Sequence, residues 1–455
     1  MEKTIAAIST APAPGGIGIV RLSGREAFSI GEKVFRGVSG KALSQMKGYT
    51  AQLGAAFDAA GERLDDVVAL VFRAPKSYTG EDVVELSCHG GLYVTKRLLQ
   101  AVLDAGASPA GPGEFTRRAF VNGKLDLAQA EAVMGLIGAS GEQARRAAEA
   151  GSTGVLSRRI AAIRGELLEQ ASHLAAWADF PEEDVPEVEE AALLEGIRQG
   201  EKALEELLQG FDRGRMYREG LVTVIAGRPN AGKSTLMNLL SGCQRSIVTQ
   251  YAGTTRDVVE ETVMVAGVPL RLADTAGIRD TDDPVESIGV QAARQRLETA
   301  QLVLAVFDSS QALEKEDWEL MDALEKVPAI AIVNKSDLPT RMDVEAIQGR
   351  FEKTVSLSAA TGEGLAALEQ ALSEILDTKD FHPQEGVLFT QRQRMDAQTA
   401  LDSLREGEQA LVLGLTLDAV TVCVEDALHA LAALTGEQVS EEIVDRVFEE
   451  FCVGK

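Results

Sequence analysis

The chain has 455 residues, of which 45% are hydrophobic and 25% are charged, and its formal net charge is −25. This length is long for one domain and predicts several. Residues 1–125 hold 15 Lys and Arg against 12 Asp and Glu, a net of +3, so the remaining 330 residues carry −28. Broad, nonspecific binding to polyanions is therefore not expected. Contact with RNA would need a local basic patch or a partner that supplies one.

The sequence lacks the signals of a membrane protein, an exported protein or a disulfide framework. No apolar run approaches the ~18 residues that a membrane span needs, and the first five residues, Met-Glu-Lys-Thr-Ile, begin no signal-peptide core. The cysteines at positions 88, 243, 423 and 452 have no C-x-x-C spacing and no nearby histidine set. We therefore expect a cytoplasmic protein that makes no membrane contact.

The N-terminal region has the periodicity of a small α/β domain. Residues 67–74 and 82–88 are strand-like, and an apolar helix is predicted over residues 94–103 between turns. The pattern predicts that this domain ends near Phe120.

Helical periodicity follows on both sides of a central region. Residues 128–178 are rich in Ala, Leu, Glu and Arg at three- and four-residue spacing, residues 180–186 interrupt this pattern with two prolines, and residues 188–208 resume it. Residues 397–451 are helical again. Each apolar stripe, taken alone, indicates only a packed core. The predicted domains are an N-terminal α/β domain at 1–119, a first helical part at 120–216, a central domain at 217–380 and a second helical part at 381–455.

The central domain begins with a phosphate-binding motif. The run Gly227-Arg-Pro-Asn-Ala-Gly-Lys-Ser234 follows the apolar stretch 221–226 and precedes a helix-like segment at 235–240. This is the order of strand, phosphate loop and helix in a P-loop nucleotidase. In such a loop, backbone N–H groups surround the β-phosphate, Lys233 bridges the β and γ phosphates, and the Ser234 hydroxyl ligates Mg²⁺. A chance glycine-rich turn is the alternative, and the flanking strand and helix argue against it.

Later motifs complete a guanine nucleotide site. Asp274 ends an apolar run where it can reach the Mg²⁺ shell, and the Gly277 N–H can face a γ-phosphate. The strand-like run 329–333 ends in Asn334-Lys-Ser-Asp337, and the Asp337 carboxylate can accept two guanine donors that adenine lacks. The stretch 358–360 can offer a backbone N–H to the guanine carbonyl oxygen. Together the motifs resemble those of the translation-factor-type GTPases, which implies a doubly wound parallel sheet.

The catalytic groups differ from those of Ras-like GTPases. Those enzymes place a water-orienting Gln directly after the Asp-Thr-Ala-Gly stretch, whereas this chain has Ile278, which cannot hydrogen-bond. Glu286, in the polar segment 279–289, is a candidate for polarising the attacking water, and Lys233 is the second candidate catalytic residue. A solvated surface carboxylate is an equally good interpretation of Glu286 from the sequence.

A monovalent cation can take the place of an arginine finger at the β–γ bridge. Asn230 and the segment 249–255 offer an amide oxygen, backbone carbonyls and a hydroxyl, which are hard-oxygen ligands. Here the residues resemble the potassium-activated GTPases, with Asn230, Thr249, Tyr251 and Thr254 on K⁺ and with Ser234 and Thr255 on Mg²⁺. The predicted GTP contacts are Asn230, Ala231, Gly232, Lys233, Ser234, Thr235, Thr249, Gln250, Tyr251, Ala252, Gly253, Thr254, Thr255, Asp274, Thr275, Ala276, Gly277, Asn334, Lys335, Ser336, Asp337, Ser358, Ala359 and Ala360.

Segments outside the central domain make the resemblance more specific. Other P-loop GTPases share the central motifs but not these flanking segments. The resemblance covers essentially the whole chain, and its departures are a valine before the terminal Gly-Lys and Tyr251 in the cation loop. The segments that look like the MnmE (TrmE) family of tRNA-modifying GTPases are 15–24, 78–91, 111–120, 122–127 and 451–455.

The resemblance implies chemistry for the outer regions. Members of this family bind a 5-formyl-tetrahydrofolate-like one-carbon carrier at a homodimer interface of the N-terminal domain. With a flavin-dependent partner, MnmG (GidA), which carries FAD, they form a heterotetramer-type complex. This complex builds a carboxymethylaminomethyl-type group on C5 of the wobble uridine (U34) of certain tRNAs. The resemblance also implies that the two helical parts pack into one discontinuous domain.

The matched folate positions are Arg21, Glu85 and Lys124. A carboxylate can pair with the amine and N–H of a pterin, and cations can hold a carbonyl or the glutamate tail. A surface ion pair is the alternative for each of the three. Lys455 is a fourth candidate folate-binding residue. Lys455 and Cys452 lie at a terminus expected to be mobile, from which they can reach a neighbouring site. His89 is expected to be a structural or packing histidine.

Two other classes of GTPase compete with this interpretation. A regulatory GTPase that binds ribosomal RNA usually carries an RNA-binding appendage, and a membrane-remodelling or ion-transport GTPase should show an anchor. The sequence shows neither feature. We therefore expect a GTP-hydrolysing tRNA-modification enzyme, in which dimerisation of the GTPase domain and hydrolysis drive a conformational cycle.

Overall fold

The structure, a computed structural model, describes residues 3–179, 189–242, 261–272, 300–376, 382–449 and 451–455. It divides into two compact units, each made of separate stretches of the chain. The first unit comprises Met1–Met134, Ile160–Ile197 and Asp402–Lys455, and the second comprises Gly135–Arg159 and Arg198–Leu401. The predicted domain boundaries after residues 119, 216 and 380 stay predictions.

The first unit contains a seven-stranded sheet near the N-terminus. The strand order is β3-β4-β5-β6-β2-β1-β7, and every pairing is antiparallel except the parallel pair β1–β7. The strands are β1 (Ile5–Ile8), β2 (Ile17–Ser23), β3 (Phe35–Gly37), β4 (Thr50–Phe57), β5 (Arg63–Phe72), β6 (Val83–His89) and β7 (Ser108–Pro109), with a 3₁₀ turn at Leu43–Gln45. The helices are α1 (Ala27–Val34), α2 (Leu92–Asp104) and α3 (Glu114–Val121).

Alternation along the central strands divides this sheet into two faces. Leu22 and Leu86 are fully buried in a core that includes side chains of α1 and α2. Because neighbouring residues of a strand point to opposite faces, Arg21 and Glu85 lie on the other face. The predicted strands at 67–74 and 82–88 and the helix at 94–103 are confirmed, with ends shifted by a few residues.

The predicted helical segments are also confirmed, but they are divided into shorter helices. Residues 128–178 form three helices because glycines interrupt the run: Gly154, for example, has a φ of 78°, which ends a helix. Gly414 and Gly436, with φ of 69° and 91°, divide the C-terminal run in the same way. The helices are α4 (Leu127–Ile137), α5 (Glu142–Ser152), α6 (Val155–Asp179), α7 (Glu190–Glu219), α12 (Gln391–Val412), α13 (Leu417–Thr435) and α14 (Glu441–Glu449).

The second unit contains a six-stranded sheet of order β13-β12-β11-β8-β10-β9. All pairings are parallel except β9–β10, as expected for strands joined by helical crossovers. The strands are β8 (Leu221–Ala226), β9 (Glu261–Val265), β10 (Val268–Leu272), β11 (Leu302–Asp308), β12 (Ala329–Asn334) and β13 (Lys353–Ser356). The helices are α8 (Lys233–Gly242), α9 (Lys315–Ala323), α10 (Val344–Gln348) and α11 (Leu365–Ile375), and a 3₁₀ turn covers Pro383–Glu385.

The central strands of this sheet are apolar along their whole length. Every residue of β11 and β12 is buried, which is typical of parallel strands covered on both faces. The predicted strands at 221–226, 329–333 and 354–357 and the helix at 235–240 are confirmed. The predicted fold class of α/β and helical domains is confirmed as well. In the described ranges, no helix combines the length and the apolar character that crossing a membrane requires.

Candidate functional site

The predicted phosphate loop connects β8 to α8 at one edge of the six-stranded sheet. Glycines are required there because the loop passes very close to its neighbours. A Cβ on Gly227, whose φ is 154°, would lie 2.3 Å from the carbonyl oxygen of Val306. A Cβ on Gly232 would lie 2.1 Å from Nδ2 of Asn334. Asn230 also has a left-handed backbone, with a φ of 61°.

The first turn of α8 carries the residues predicted to contact phosphate and Mg²⁺. Lys233 folds back over the loop, and its Nζ donates to the carbonyls of Gly227 and Arg228 at 2.8 and 2.6 Å. Ser234 and Thr235 are exposed. A helix N-terminus favours anions because its N–H groups have no acceptors within the helix. The lysine, the hydroxyls and the helix end therefore fit a nucleotide phosphate with its Mg²⁺.

Asn334 joins three of the predicted motifs. This residue ends β12 and is 2% exposed. Its Nδ2 donates to the carbonyl of Ala231 at 2.8 Å, and its Oδ1 accepts the N–H of Ala359 at 2.9 Å. One buried amide thus connects the phosphate loop with the segment predicted to complete the base pocket.

Asp337 and Ser358 are also brought together. The Ser358 hydroxyl donates to Oδ1 of Asp337 at 2.6 Å, and Ser358 is completely buried. This bond fixes the orientation of the carboxylate that is predicted to read guanine. Asp337 itself is exposed.

Asp308, which no sequence motif identifies, bonds the predicted site residue Lys335. It ends β11, is 4% exposed, and its Oδ2 accepts from Nζ of Lys335 at 2.7 Å. Burial raises the pKa of Asp308, but hydrogen bonds from Lys335 and Ser310 outweigh burial and hold it below its ordinary value. Lys335 has a left-handed backbone, with a φ of 63°. The sequence feature that could have identified Asp308 is a carboxylate at the end of a wholly apolar strand.

Arg21 and Glu85 form an ion pair in the first unit. They are register partners on β2 and β6, with Nε and Oε1 2.8 Å apart and side chains 18% and 16% exposed. The guanidinium lies 5.6 Å from the ring centroid of Phe115. Lys455 adds a second cation: burial lowers its pKa, as does Arg21, while Glu85 acts in the opposite direction. Three of the four predicted folate residues therefore lie together.

The C-terminal tail, residues 451–455, packs against the N-terminal sheet. The Gly454 carbonyl accepts from Ser9 Oγ at 3.1 Å and from Arg21 Nη1 at 3.4 Å. Val453 pairs with Pro112 in an isolated β-bridge. A Cβ on Gly454 would lie 2.2 Å from the carbonyl oxygen of Ile8, which requires glycine at this close approach. The expectation of a mobile terminus was wrong, because these bonds hold Cys452 and Lys455 in place.

Lys124 lies against a different segment. Its Nζ donates to the carbonyl of Pro75 at 3.2 Å, and among the residues that the structure describes it makes no hydrogen bond or ion pair with Arg21 or Glu85. Tyr78 has no role predicted from the sequence. Its hydroxyl forms a hydrogen bond with Oγ1 of Thr116 at 2.9 Å. Burial raises the pKa of Tyr78, against the bond from Thr116 and the charge of Arg21.

His89 is not a packing residue. Its side chain is 72% exposed, and Nδ1 lies 2.8 Å from Oδ1 of Asp65. Of the two expected roles, structural or packing, the exposed ring excludes packing, whereas the bond to Asp65 on the neighbouring strand β5 fits a structural role.

Several predicted site residues lie outside the described ranges, and their roles stay predictions. These are Thr249, Gln250, Tyr251, Ala252, Gly253, Thr254, Thr255, Asp274, Thr275, Ala276, Gly277, Ile278 and Glu286.

Comparisons with known proteins match both outer regions and the whole length. A family model described as MnmE helical domain matches residues 127–452, and one described as GTP-binding protein TrmE N-terminus matches residues 4–124. Proteins named tRNA modification GTPase MnmE from Alkaliphilus oremlandii and Symbiobacterium thermophilum are 41% and 44% identical over 459 and 457 residues, covering 100% of both chains in each case. The protein of that name from Lactococcus lactis subsp. cremoris is 42% identical and covers 99% of this chain and 98% of its own.

Proposed function

The chain belongs to the MnmE family of tRNA modification GTPases, and from this premise we propose its detailed activity. It hydrolyses GTP in a potassium-activated cycle. With the flavin-dependent partner MnmG, it adds a carboxymethylaminomethyl-type group at C5 of U34 in certain tRNAs, with a folate as one-carbon donor. The observation that carries this proposal is the group of Arg21, Glu85 and Lys455, because a purely regulatory GTPase does not require it.

We propose that the nucleotide binds at the edge of the six-stranded sheet. Backbone N–H groups of the phosphate loop and Lys233 hold the phosphates, Asp337 accepts from guanine, and Ser234 with Thr255 ligates Mg²⁺. Bound Mg²⁺ neutralises charge on the β and γ phosphates. The bonds of Asn334 to the phosphate loop and to Ala359 support this assignment, because they fix the distance between the phosphate and base subsites.

We propose the hydrolytic groups from the sequence motifs. Asn230, Thr249, Tyr251 and Thr254 supply oxygen ligands for K⁺, and Glu286 polarises the attacking water. The exposed side chain and left-handed backbone of Asn230 support its part in this set.

We propose that Arg21, Glu85, Lys124 and Lys455 bind 5-formyl-tetrahydrofolate or a related folate. Glu85 pairs with the amine and N–H of the pterin, and the cations hold a carbonyl or the glutamate tail. The chemistry of the group fits such a ligand, because it offers one carboxylate acceptor and several cationic donors around a partly buried position.

A second copy of the chain is the proposed partner at this face. Ile17, Leu53 and Val68 are 65%, 58% and 40% exposed. The strand registers place them on the same sheet face as Arg21 and Glu85. Apolar side chains grouped on one face are typical of an interaction surface. We therefore propose a homodimer, joined by MnmG in a heterotetramer-type complex in the cytoplasm.

The folate proposal predicts weaker binding in three single variants. We expect Arg21→Ala, Glu85→Gln and Lys124→Ala each to weaken 5-formyl-tetrahydrofolate binding by about tenfold or more, since hydrogen bonds to charged groups contribute ~1.5–3 kcal/mol. GTP turnover should stay near wild type. Equilibrium titration of the full chain measures the first effect and phosphate release the second.

Arg117→Ala is the matched control for the folate variants. It removes an arginine of the same unit whose pair with Asp445 is exposed, with side chains 35% and 56% accessible, so folate binding should not change. Wild-type affinity in all three test variants would refute the folate site.

The modification proposal is tested on tRNA nucleosides. A strain lacking this gene should lose the C5 group of U34, and the wild-type gene should restore it. Lys233→Ala should not restore it, since that variant lacks the phosphate-bridging cation. Mass spectrometry of wobble nucleosides gives the answer, and an unchanged nucleoside profile in the deletion strain contradicts the proposal.

A further inference from the structure

Arg228, the second residue of the phosphate loop, sends its side chain out of the loop to the start of α9. Its Nη1 lies 2.6 Å from Oε2 of Glu314, and its Nε lies 2.8 Å from Oδ2 of Asp317. The arginine side chain is 11% exposed and that of Asp317 only 2%. A nearly buried ion pair therefore joins the phosphate loop to a different crossover of the sheet.

Asp317 has two functions at this contact. Its Oδ2 also accepts the backbone N–H of Glu314 at 2.9 Å, which caps the first turn of α9. A buried carboxylate is stable only when it is paired and hydrogen-bonded. The cap of α9 and the position of Arg228 thus depend on the same oxygen atom.

The backbone of Arg228 lies inside the loop. Its carbonyl accepts from Nζ of Lys233 at 2.6 Å and from the N–H of Ala231 at 3.3 Å. Three residues further, the Ala231 carbonyl accepts from Asn334. The arc of Pro229 and Asn230 is therefore fixed at both ends, by Arg228 to α9 and by Ala231 to β12.

We propose that Arg228 is a positioning residue of the GTPase, which holds the phosphate loop in the conformation that binds the diphosphate of GTP and GDP. The fork of the guanidinium sets both the distance and the angle between loop and helix, because it bonds two carboxylates from two nitrogens. The inference rests on the proposal that residues 227–234 cradle the phosphates.

The first test compares Arg228→Ala, Arg228→Lys and Asp317→Asn in the full chain. We expect Arg228→Ala to raise the Kd for GDP and the KM for GTP by about tenfold to a hundredfold, the usual range when a group that orients a ligand-binding residue is lost. The kcat should change less than KM, because the loop contacts are made in the ground state as well. Arg228→Lys should give a smaller loss, since lysine keeps the charge but not the fork.

A double variant of Arg228 and Asp317 distinguishes a loss of loop positioning from a general loss of stability. Arg228→Ala with Asp317→Asn should weaken GDP binding no more than Arg228→Ala alone, because both changes break one contact. Arg350→Ala is the control. It removes an exposed ion pair with Asp322, which lies on α9 like Asp317, and the two side chains are 46% and 67% accessible. It should leave GDP affinity and KM unchanged.

Lys233→Ala distinguishes failure of this inference from failure of the nucleotide site. If Lys233→Ala binds GDP like wild type, the phosphate loop itself is wrongly assigned. If it loses affinity while Arg228→Ala, Arg228→Lys and Asp317→Asn all keep GDP Kd and GTP KM within twofold of wild type, the positioning role is overturned. Should Arg228→Ala unfold at the assay temperature, the Lys and Asn variants decide.

Discussion

Asp337→Asn should change the nucleotide preference of the enzyme from guanine to xanthine. In the proposed site the two oxygens of Asp337 accept the N1–H and the exocyclic amine of guanine, whereas asparagine offers one acceptor and one donor. That pattern fits the C2 carbonyl of xanthine. A site that is built around hydrogen bonds rejects a mismatched base by ~10⁴-fold or more. The orientation of this carboxylate is fixed in the structure, because the buried Ser358 hydroxyl donates to Oδ1 of Asp337 at 2.6 Å.

Parallel titrations of GTP and XTP with wild type and Asp337→Asn give the preference directly. Ser358→Ala is the informative comparison, because it releases the carboxylate without changing its acceptors. We expect that variant to bind GTP more weakly and to keep its preference for guanine. Unchanged GTP affinity in Asp337→Asn would show that another residue recognises the base.

The predicted site residues that the structure brings together share one property. Asn334 ends a buried strand, Ser358 follows one, and Lys233 follows the loop that begins at the end of another. The carboxyl ends of parallel strands meet at one edge of a sheet. Local pattern was therefore enough to place them together. The strand at 67–74 and the helical segments were found in the same way, from periodicity within a short window.

What the sequence missed depends on contacts between distant segments. Arg228 meets Asp317, and Asp308 meets Lys335, only after the crossovers have packed, and no spacing in the sequence reports such pairs. The tail shows the same limit more strongly. Gly454 accepts from Ser9, 445 residues away in the chain, so a terminus that looks mobile in the sequence is held by the fold.

The different partners of Arg21 and Lys124 have a similar origin. Both were matched to the folate site by motif. Arg21 on β2 bonds Glu85 on the neighbouring strand β6, whereas Lys124 follows α3 and its Nζ donates to the carbonyl of Pro75. A motif gives residue types and order, but the direction of each side chain follows from strand parity and helix packing. The titration of single variants is therefore needed to assign Lys124.

Replacing K⁺ with Na⁺ at constant ionic strength should slow GTP hydrolysis by ~10²–10³-fold, the cost typical of losing a charge that bridges the transferred phosphoryl group. The proposed reason is size, because an ion smaller than K⁺ would not contact the proposed carbonyl ligands and both phosphates together. Asn230 is the member of the proposed cage that the structure describes, and its exposed side chain stands on a left-handed backbone with a φ of 61°. Asn230→Ala should therefore remove the difference between the two ions.

A substitution at a left-handed position also strains the backbone, so Asn230→Gly is the matched control: glycine removes the amide while it accepts this conformation without cost. If the amide oxygen binds the cation, both variants should hydrolyse GTP equally slowly in K⁺ and in Na⁺. If only Asn230→Ala is slow, backbone strain is the cause and the residue is no potassium ligand.

Glu286→Ala should depress hydrolysis and keep GTP binding and potassium-dependent pairing of the GTPase domains, because its proposed role is only to position water. Equal turnover of the wild type in both salts would exclude potassium activation, and a normal rate in Glu286→Ala would exclude the water role, since each outcome removes the step that the group was assigned.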